Sequence, residues 1–231
     1  MSERHWPGKF VTVEGGDGSG KSTQADLIVA HAVSLGVDVV GTKEPGGIPE
    51  TFPFRGLIFD SRLSEDGEGQ LLLFAAERKV HIEWQVLPAL EEGKLVVCDR
   101  FSGSTFAYQH ERGVFLRTIT TLDRMARTVK KNGQVVELSP DLTILVDVPP
   151  EVGIERMAKR RGERTYFDAD DVTRHERRRV IFLTLAKQFD WVVVDGTRSQ
   201  EEVFIDILAT LENRGIFKQA SHIESGNVFH I

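Results

Sequence analysis

The chain has 231 residues, 40% of them hydrophobic and 28% charged, with a formal net charge of −6 and a single cysteine. This composition is that of a globular domain with a full core, and its negative charge provides no overall attraction to nucleic acid. No apolar run approaches the roughly 20 residues that span a bilayer, and the polar start lacks a secretory signal. The lone Cys98 cannot form an intrachain disulfide, which favours a reducing compartment. Together these features predict a cytoplasmic protein that binds neither nucleic acid nor membranes.

Short β-rich segments alternate along the chain with longer segments of helical periodicity. The segment 9–14 is predicted to be a strand, and 21–36 a helix. The further strands are predicted at 37–42, 94–98, 141–148 and 191–196, and the further helices at 53–60, 66–92, 114–131, 150–160, 172–189 and 199–213. This alternation predicts a three-layer α/β/α fold, in which a five-stranded parallel sheet carries helices on both faces. We expect one domain over 1–213, followed by a tail of unknown role over 214–231.

The stretch GGDGSGKS, residues 15–22, fits the phosphate-binding pattern G-x-x-x-x-G-K-[ST] and lies between a predicted strand and a predicted helix. Glycines let successive N–H groups point toward an anion, and the helix that begins near Lys21 adds the positive end of its dipole. The Lys21 ammonium suits the β- and γ-phosphates of a nucleotide, and the Ser22 hydroxyl suits Mg²⁺. The alternative is a glycine-rich turn that meets the pattern by chance. The residues assigned to ATP in this loop are Gly15, Gly16, Asp17, Gly18, Ser19, Gly20, Lys21, Ser22 and Thr23.

A second charged turn follows the apolar strand 94–98, where Asp99 and Arg100 are adjacent. Ligands of parallel sheets bind at the carboxyl ends of the strands, so this turn should lie beside the glycine loop. The Asp99 carboxylate is suited to hold Mg²⁺ directly or through water. The Arg100 guanidinium can donate two hydrogen bonds to a second phosphate. The alternative for this dipeptide is a surface ion pair.

With the glycine loop, four further segments resemble the thymidylate kinase family in the order that the family has them: TKEPGG, LLLFAAERKVH, ALEEGKLVVCDRFSGSTFAYQ and PDLTILVDVPPEVGIERMAKRRGE. The match runs over roughly residues 9–213. The resemblance implies a P-loop NTPase fold and a homodimeric, Mg²⁺-dependent enzyme that transfers the γ-phosphoryl group of ATP to dTMP, giving dTDP. Because the acceptor phosphate is already anionic near neutral pH, such an enzyme needs positioning and charge shielding, and no strong general base.

The resemblance also implies an acceptor site. Phe74 matches the aromatic residue that stacks on thymine, for which a place in the core is the alternative, and Arg78 matches the arginine that reads the base edge. Arg100 matches the arginine that holds the acceptor phosphate, and Tyr108 matches the aromatic residue under the sugar, where a 2′-hydroxyl would clash. Asp17 corresponds to an acid that binds the 3′-hydroxyl, the alternative being a turn former. The remaining acceptor residues are Arg55, as a second phosphate-binding arginine, and Ser104, Thr105 and Gln109 near the base.

The charged segment 156–171 matches the lid that closes over ATP in the family, although a charge run alone usually indicates a solvated face. Some members of the family have the transition-state arginine in the glycine loop, but the loop of this chain has none. The resemblance therefore implies that this arginine comes from the lid, from Arg160 or Arg161 and less readily from Arg164. Arg156, one helical turn before Arg160, is assigned to adenine. The residues assigned to catalysis are thus Asp17, Lys21, Arg100, Arg160 and Arg161, and those assigned to the metal are Ser22 and Asp99.

The chain departs from the family pattern at several places. Lys43 replaces an arginine, Pro53 lies in a helix that the family begins earlier, and HERGVFL (110–116) replaces a glycine-rich stretch after YQ. Two rival functions remain: a kinase of another deoxynucleoside monophosphate or of a nucleoside, and a nucleotide-driven switch. The aromatic and arginine residues of the acceptor site favour a thymine-like nucleotide, and a switch would not need a second set of phosphate-binding arginines.

Overall fold

The structure is a computed structural model, and it describes residues 6–63, 66–131, 133–159 and 172–217. The predicted lid arginines Arg160, Arg161 and Arg164 lie outside the described residues, as does the predicted tail from residue 218 onward. Within the ranges that are described, no helix combines the length and apolar character needed to cross a membrane.

The described residues contain seven strands: β1 (Lys9–Glu14), β2 (Val39–Lys43), β3 (Leu95–Asp99), β4 (Thr128–Lys131), β5 (Gln134–Glu137), β6 (Leu142–Asp147) and β7 (Val192–Asp195). Five of them form one sheet in the order β2-β3-β1-β6-β7, and every neighbouring pair is parallel. This confirms the predicted five-stranded parallel sheet. Phe10, Val11 and Val13 of the central strand are buried, as expected for a strand with helices on both faces. The remaining two strands, β4 and β5, pair as an antiparallel hairpin.

The described helices are α1 (Lys21–Ser34), α2 (Phe52–Ile58), α3 (Gly67–His81), α4 (Leu87–Glu91), α5 (Ser102–Glu111), α6 (Leu116–Arg127), α7 (Pro150–Lys159), α8 (Val172–Gln188) and α9 (Gln200–Asn213). Short 3₁₀ turns precede and follow α2, at Pro49–Thr51 and Ser61–Leu63. The predicted helix 66–92 is divided, because a π-helical turn at Ile82–Val86 separates α3 from α4. Pro88 follows this turn, and proline cannot donate the backbone hydrogen bond of a regular helix.

Helices pack on both faces of the sheet. On one face, Ile28 of α1 and Ile207 of α9 are buried against strand residues, together with Phe217. On the other face, Leu90 of α4 belongs to a cluster with β1 and β3, and Phe182 of α8 to a cluster with β6. Phe217 lies in the tail that the sequence predicts, so the packed core extends at least to this residue.

Two further segments differ from the sequence-based prediction. The helix predicted over 114–131 ends at Arg127, and the chain continues as β4, where the β-branched Thr128 and Val129 favour a strand. Gly133 in the hairpin turn has a φ of 79°, the left-handed conformation that such turns require. The other difference is α5, which the prediction lacks because its residues SGSTFAYQHE include few apolar side chains at helical spacing.

Candidate active site

The glycine loop connects the carboxyl end of β1 to the amino end of α1. Gly15, Gly18 and Gly20 have φ values of 151°, 76° and 94°, which other residues rarely adopt. A Cβ atom on Gly18 would lie 2.2 Å from the Gly153 carbonyl oxygen, so α7 could not pack this closely against any other residue type. The loop ends at the first turn of α1, and N–H groups at the start of a helix, which lack carbonyl partners within the helix, can bind an anion.

Lys21 is the first residue of α1, and its side chain folds back over the loop. Its Nζ donates a hydrogen bond to the Gly16 carbonyl oxygen at 3.0 Å and lies 3.9 Å from the Asp17 carboxylate. Burial and the neighbouring Arg100 cation lower the pKa of Lys21 to about 8, and nearby carboxylates offset only part of this effect. The ammonium is therefore held at the loop in a setting where a phosphate would stabilise its charge.

Ser22 and Asp99 bring two oxygen ligands together beside the loop. The Ser22 hydroxyl donates to Asp99 Oδ2 at 2.5 Å. Asp99 Oδ1 is buried and has no hydrogen-bond partner among the described residues. A hydroxyl and a carboxylate with a free oxygen are ligands that fit Mg²⁺. The described part of the chain has no group of three or more acidic, histidine or cysteine side chains that could hold a metal ion, so bound phosphates and water would complete the coordination of such an ion.

Arg100 links the glycine loop to α5. Its backbone has a φ of 71°, an uncommon conformation for a residue other than glycine. One end of the guanidinium forms an ion pair with the Asp17 carboxylate. The other end donates to the Ser104 hydroxyl at 3.1 Å, to the Tyr108 hydroxyl at 3.4 Å and to the Gly15 carbonyl at 3.5 Å. The planar, charged guanidinium of Arg100 thus lies between the glycine loop and α5.

Asp17 of the glycine loop and Tyr108 of α5 contact each other directly. The Tyr108 hydroxyl donates to Asp17 Oδ2 at 2.6 Å. Burial alone would raise the pKa of Asp17, but Arg100 and Lys21 hold it well below its usual range. Burial also raises the pKa of Tyr108 above its usual value. At neutral pH the pair is therefore a carboxylate and a neutral phenol.

A cleft of about 750 Å³ opens beside Arg100, at the carboxyl ends of β2 and β3. Phe74 lines it as a half-buried side chain, so this residue is not confined to the core. Arg55 donates to the Pro45 carbonyl at 3.0 Å and lies over the Phe59 ring. The predicted acceptor residues all line this one cleft, together with both predicted metal ligands: Asp17, Arg55, Phe74, Arg78, Arg100, Ser104, Thr105, Tyr108 and Gln109, with Ser22 and Asp99.

A smaller cleft of about 330 Å³ is lined by Gly18, Ser19 and Gly20 of the glycine loop. Arg156 of α7 lines it and donates to the Gly196 carbonyl at 2.8 Å and the Ser19 carbonyl at 3.3 Å. Thr23 and Gln24 of α1 form another part of its wall. Both clefts are thus bordered by residues of the glycine loop.

The family model for thymidylate kinase matches residues 13–207, which is most of the chain. The chain belongs to the thymidylate kinase family. It is therefore a kinase that phosphorylates dTMP, as the resemblance of its motifs implies. The thymidylate kinase of Carboxydothermus hydrogenoformans is 36% identical over 206 residues, covering 89% of this chain and 97% of that protein.

Two further comparisons agree with this assignment. The thymidylate kinase of Bradyrhizobium sp. strain BTAi1 is 39% identical over 212 residues, covering 90% of this chain and 91% of the relative. The crystal structure of thymidylate kinase from Ehrlichia chaffeensis superposes with a TM-score of 0.69 at 29% identity, covering 89% of this chain and 98% of that one. The fold and the enzyme class expected from the sequence are confirmed.

Arg78 of this kinase is embedded in a buried network of charges. Its guanidinium donates to Glu44 Oε2 and to Asp123 Oδ1, both at 2.7 Å, and to the Thr105 hydroxyl at 2.9 Å. The second Glu44 oxygen lies 2.9 Å from His81 Nδ1. Three of the five guanidinium hydrogens are thereby used, which leaves one on each terminal nitrogen for a ligand in the cleft. The sequence analysis missed Glu44 and Asp123, although an arginine within an apolar helix is a signal that buried carboxylates should lie nearby.

Glu14 is a second residue that the sequence analysis missed. Its carboxylate is buried at the end of β1 and accepts hydrogen bonds from the Phe101 and Ser104 backbone N–H groups at 2.9 and 3.1 Å. It also accepts the Ser104 hydroxyl at 2.7 Å, and that hydroxyl in turn accepts a bond from Arg100. Burial raises the pKa of Glu14, although its hydrogen bonds and Arg100 act in the opposite direction. A charged side chain within an otherwise apolar strand is the signal that could have found it.

Gln109 carries a buried amide at the end of the acceptor cleft. The side chain is 0% exposed, and neither its oxygen nor its nitrogen has a hydrogen-bond partner among the described residues. Buried amides are almost always hydrogen-bonded in folded proteins. This amide therefore offers N–H donors and a carbonyl acceptor to whatever fills the cleft.

Proposed function

We propose that this kinase binds ATP at the glycine loop and dTMP in the larger cleft, and that Arg100 holds the acceptor phosphate between them. The main support for this proposal is the position of Arg100. Its guanidinium contacts the glycine loop at Gly15 and Asp17, and it contacts α5 at Ser104. The γ-phosphate on the loop and the acceptor phosphate on Arg100 would then meet beside the Ser22–Asp99 pair. Two mutually repelling anions are brought into line and shielded there.

Each charged group has a defined task in this scheme. Lys21 would neutralise charge on the β- and γ-phosphates, while Ser22 and Asp99 would hold Mg²⁺, which when bound screens the phosphate oxygens. The attacking phosphate oxygen is already anionic, so no side chain has to remove a proton from it. We assign the transition-state contact to Arg160 or Arg161 of the lid, because the glycine loop has no arginine. Arg156, on the wall of the smaller cleft, is proposed to pack against adenine.

The acceptor cleft has groups that suit thymine and deoxyribose. Phe74 would stack on the base, while Arg78 would donate to a carbonyl oxygen on its edge. The Gln109 amide matches a pyrimidine edge that has one N–H group and one carbonyl oxygen. Asp17 would accept the 3′-hydroxyl, and the Tyr108 ring would occupy the space that a 2′-hydroxyl needs.

We further propose that the kinase is a homodimer that works in the cytoplasm. Large apolar side chains are exposed on the neighbouring helices α2, α3 and α6: Leu57 is 49% exposed, Leu72 58% and Met125 63%. Apolar surface of this kind on adjacent helices is typical of an interface. Within the predicted apolar stripe of α6, Ile119 is buried in the monomer while Met125 is exposed, so the helix can serve the core and a partner at once. The free, buried thiol of Cys98 agrees with a reducing compartment.

A coupled assay of ADP release, run with ATP and Mg²⁺, tests the choice of acceptor. The acceptors to compare are dTMP, dUMP, dCMP, dGMP and thymidine at equal concentrations. We expect the highest kcat/KM with dTMP, because its base edge and its phosphate both meet complementary groups. Faster turnover of thymidine than of dTMP would contradict the assignment of Arg100 to an acceptor phosphate.

A further inference from the structure

The buried face of α8 contains an arginine at a place where its helical neighbours are mostly apolar. The residues of α8 that face the core are His175, Arg178, Phe182, Leu185 and Ala186. Arg178 is 1% exposed, and a fully buried arginine is costly unless its charge is paired. Its place in this stripe therefore raises the question of what its guanidinium contacts.

Glu111 at the end of α5 supplies the paired charge. Its carboxylate accepts from Arg178 Nη2 at 3.0 Å and Nε at 3.3 Å, and from Arg174 Nε at 2.9 Å. The Glu111 side chain is itself 3% exposed. Glu111 lies in the HERGVFL segment, where the chain departs from the glycine-rich pattern of the family. The ion pair therefore ties α8 to α5, the helix that carries four of the predicted acceptor residues.

Arg178 also contacts one of those acceptor residues directly. Its guanidinium carbon lies 4.5 Å from the centre of the Tyr108 ring, closer than that of Arg100 at 5.3 Å. Phe182, one helical turn after Arg178, meets the same ring edge to face with centroids 6.4 Å apart. Two residues four apart on a helix point to the same side, so α8 presents a cation and an aromatic edge to one ring. The Tyr108 hydroxyl, at the far end of the ring, is fixed by Asp17 at 2.6 Å.

We propose that Arg178 is a positioning residue that fixes the Tyr108 ring and thereby sets the preference for deoxyribose over ribose. The inference rests on the proposed function, in which this ring occupies the space of a 2′-hydroxyl. A ring excludes an extra oxygen only if it cannot turn or withdraw, so the discrimination depends on what packs behind it. Arg178 supplies that support through a planar group, held in place by Glu111.

The test compares kcat/KM for dTMP with kcat/KM for ribothymidine 5′-monophosphate, at saturating ATP and Mg²⁺. Arg178→Met removes the charge and the planar contact, and we expect the ratio of the two kcat/KM values to fall by about fivefold or more. Arg178→Lys keeps a charge for Glu111 but lacks the planar group, so the ratio should fall here as well, by about threefold. Arg177→Met is the matched control, because Arg177 is the exposed neighbour on the same helix, and its ratio should stay within about twofold of wild type.

Thermal unfolding and the affinity for ATP establish that each variant is folded before its ratio is used. If Arg178→Met does not fold, the test uses Arg178→Lys and the double variant Glu111→Gln/Arg178→Met, which removes both charges of the Glu111–Arg178 pair. An unchanged ratio in the folded Arg178 variants overturns the inference, and so does an equal loss in Arg177→Met.

Tyr108→Ala separates the proposed role of Tyr108 at the sugar from the proposed role of Arg178 in positioning it. If it leaves the ratio unchanged, the proposed sugar role of Tyr108 fails, whereas a reduced ratio there with unaffected Arg178 variants overturns the present inference alone.

Discussion

Lys21 is a single residue whose charge depends on the pH range in which the enzyme works. Burial lowers its pKa to about 8, and the Arg100 cation acts in the same direction. The charged form therefore predominates below this pH in the free enzyme and is lost as the pH rises through it. Bound phosphates favour the ammonium, so ATP binding and protonation of Lys21 support each other.

The affinity of the acceptor-free enzyme for ATP with Mg²⁺ should accordingly weaken as the pH rises above 8. We expect a constant dissociation constant between pH 7 and 7.5 and a rise of about tenfold from pH 8 to pH 9.5. Equilibrium titration at each pH measures it, and a Lys21→Met variant should bind weakly at every pH without this alkaline rise. An affinity in the wild type that stays flat to pH 9.5 would refute the role given to Lys21.

The residues that the sequence identifies and those that it misses differ in how far apart their partners lie. Lys21 and Ser22 belong to a contiguous motif whose spacing carries the chemistry, so their place beside a strand and a helix is predictable. The contact between Glu14 and Ser104 joins residues 90 positions apart, and the contact between Arg78 and Asp123 joins residues 45 apart. Such pairs depend on how the elements pack, which one sequence does not specify.

At the scale of the element, α5 depends on a cap that comes from another part of the chain. None of its own residues supplies the side-chain cap, because its N-cap position is Phe101. Glu14 of β1 accepts the Phe101 and Ser104 N–H groups instead. A carboxylate there also interacts favourably with the positive end of the helix dipole. The strand that leads into the glycine loop thus also fixes the helix that carries Ser104, Thr105, Tyr108 and Gln109.

Replacement of this cap should affect stability and acceptor binding together. In Glu14→Ala two buried N–H groups lose their partner, and we expect the free energy of unfolding to fall by about 1–3 kcal/mol. The KM for dTMP should rise more than the dissociation constant for ATP, because Ser104 and Arg100 lose their fixed positions. Chemical denaturation and steady-state kinetics measure the two effects. Glu201→Ala, an exposed position in the first turn of α9, is the control, and equal behaviour of the two variants would argue against the cap.

The elements differ in how well local patterns specify them. The strands of the parallel sheet are predictable because their near-continuous apolar runs reflect burial on both faces. The end of α6 is not, since Val129 fits the apolar stripe of a helix and the buried face of β4 equally well. Only the turn at Gly133, with its left-handed backbone, distinguishes the hairpin from a longer helix.

At the scale of the whole molecule, the proposed dimer depends on apolar surface that the monomer leaves exposed. The sequence could not locate it, because exposed and buried positions of a helix share the same apolar residue types. We expect the double variant Leu72→Glu/Met125→Glu to sediment as a monomer where the wild type sediments as a dimer, since charges at the centre of an apolar interface are strongly unfavourable. Ile205→Glu, which alters a side chain 63% exposed on α9, is the matched control. A double variant that remains dimeric would place the interface elsewhere.

The central claim concerns the whole site: ATP and dTMP meet at Arg100 with their phosphates facing each other. The most direct measurement is a comparison of steady-state constants for dTMP and the equilibrium affinity for ATP in Arg100→Met, with Arg177→Met as the control. The account predicts that kcat/KM for dTMP falls by about 10²- to 10³-fold while the dissociation constant for ATP changes by less than about threefold. Weakened ATP binding with unchanged constants for dTMP would contradict it, because the donor and acceptor clefts would then be the reverse of those assigned.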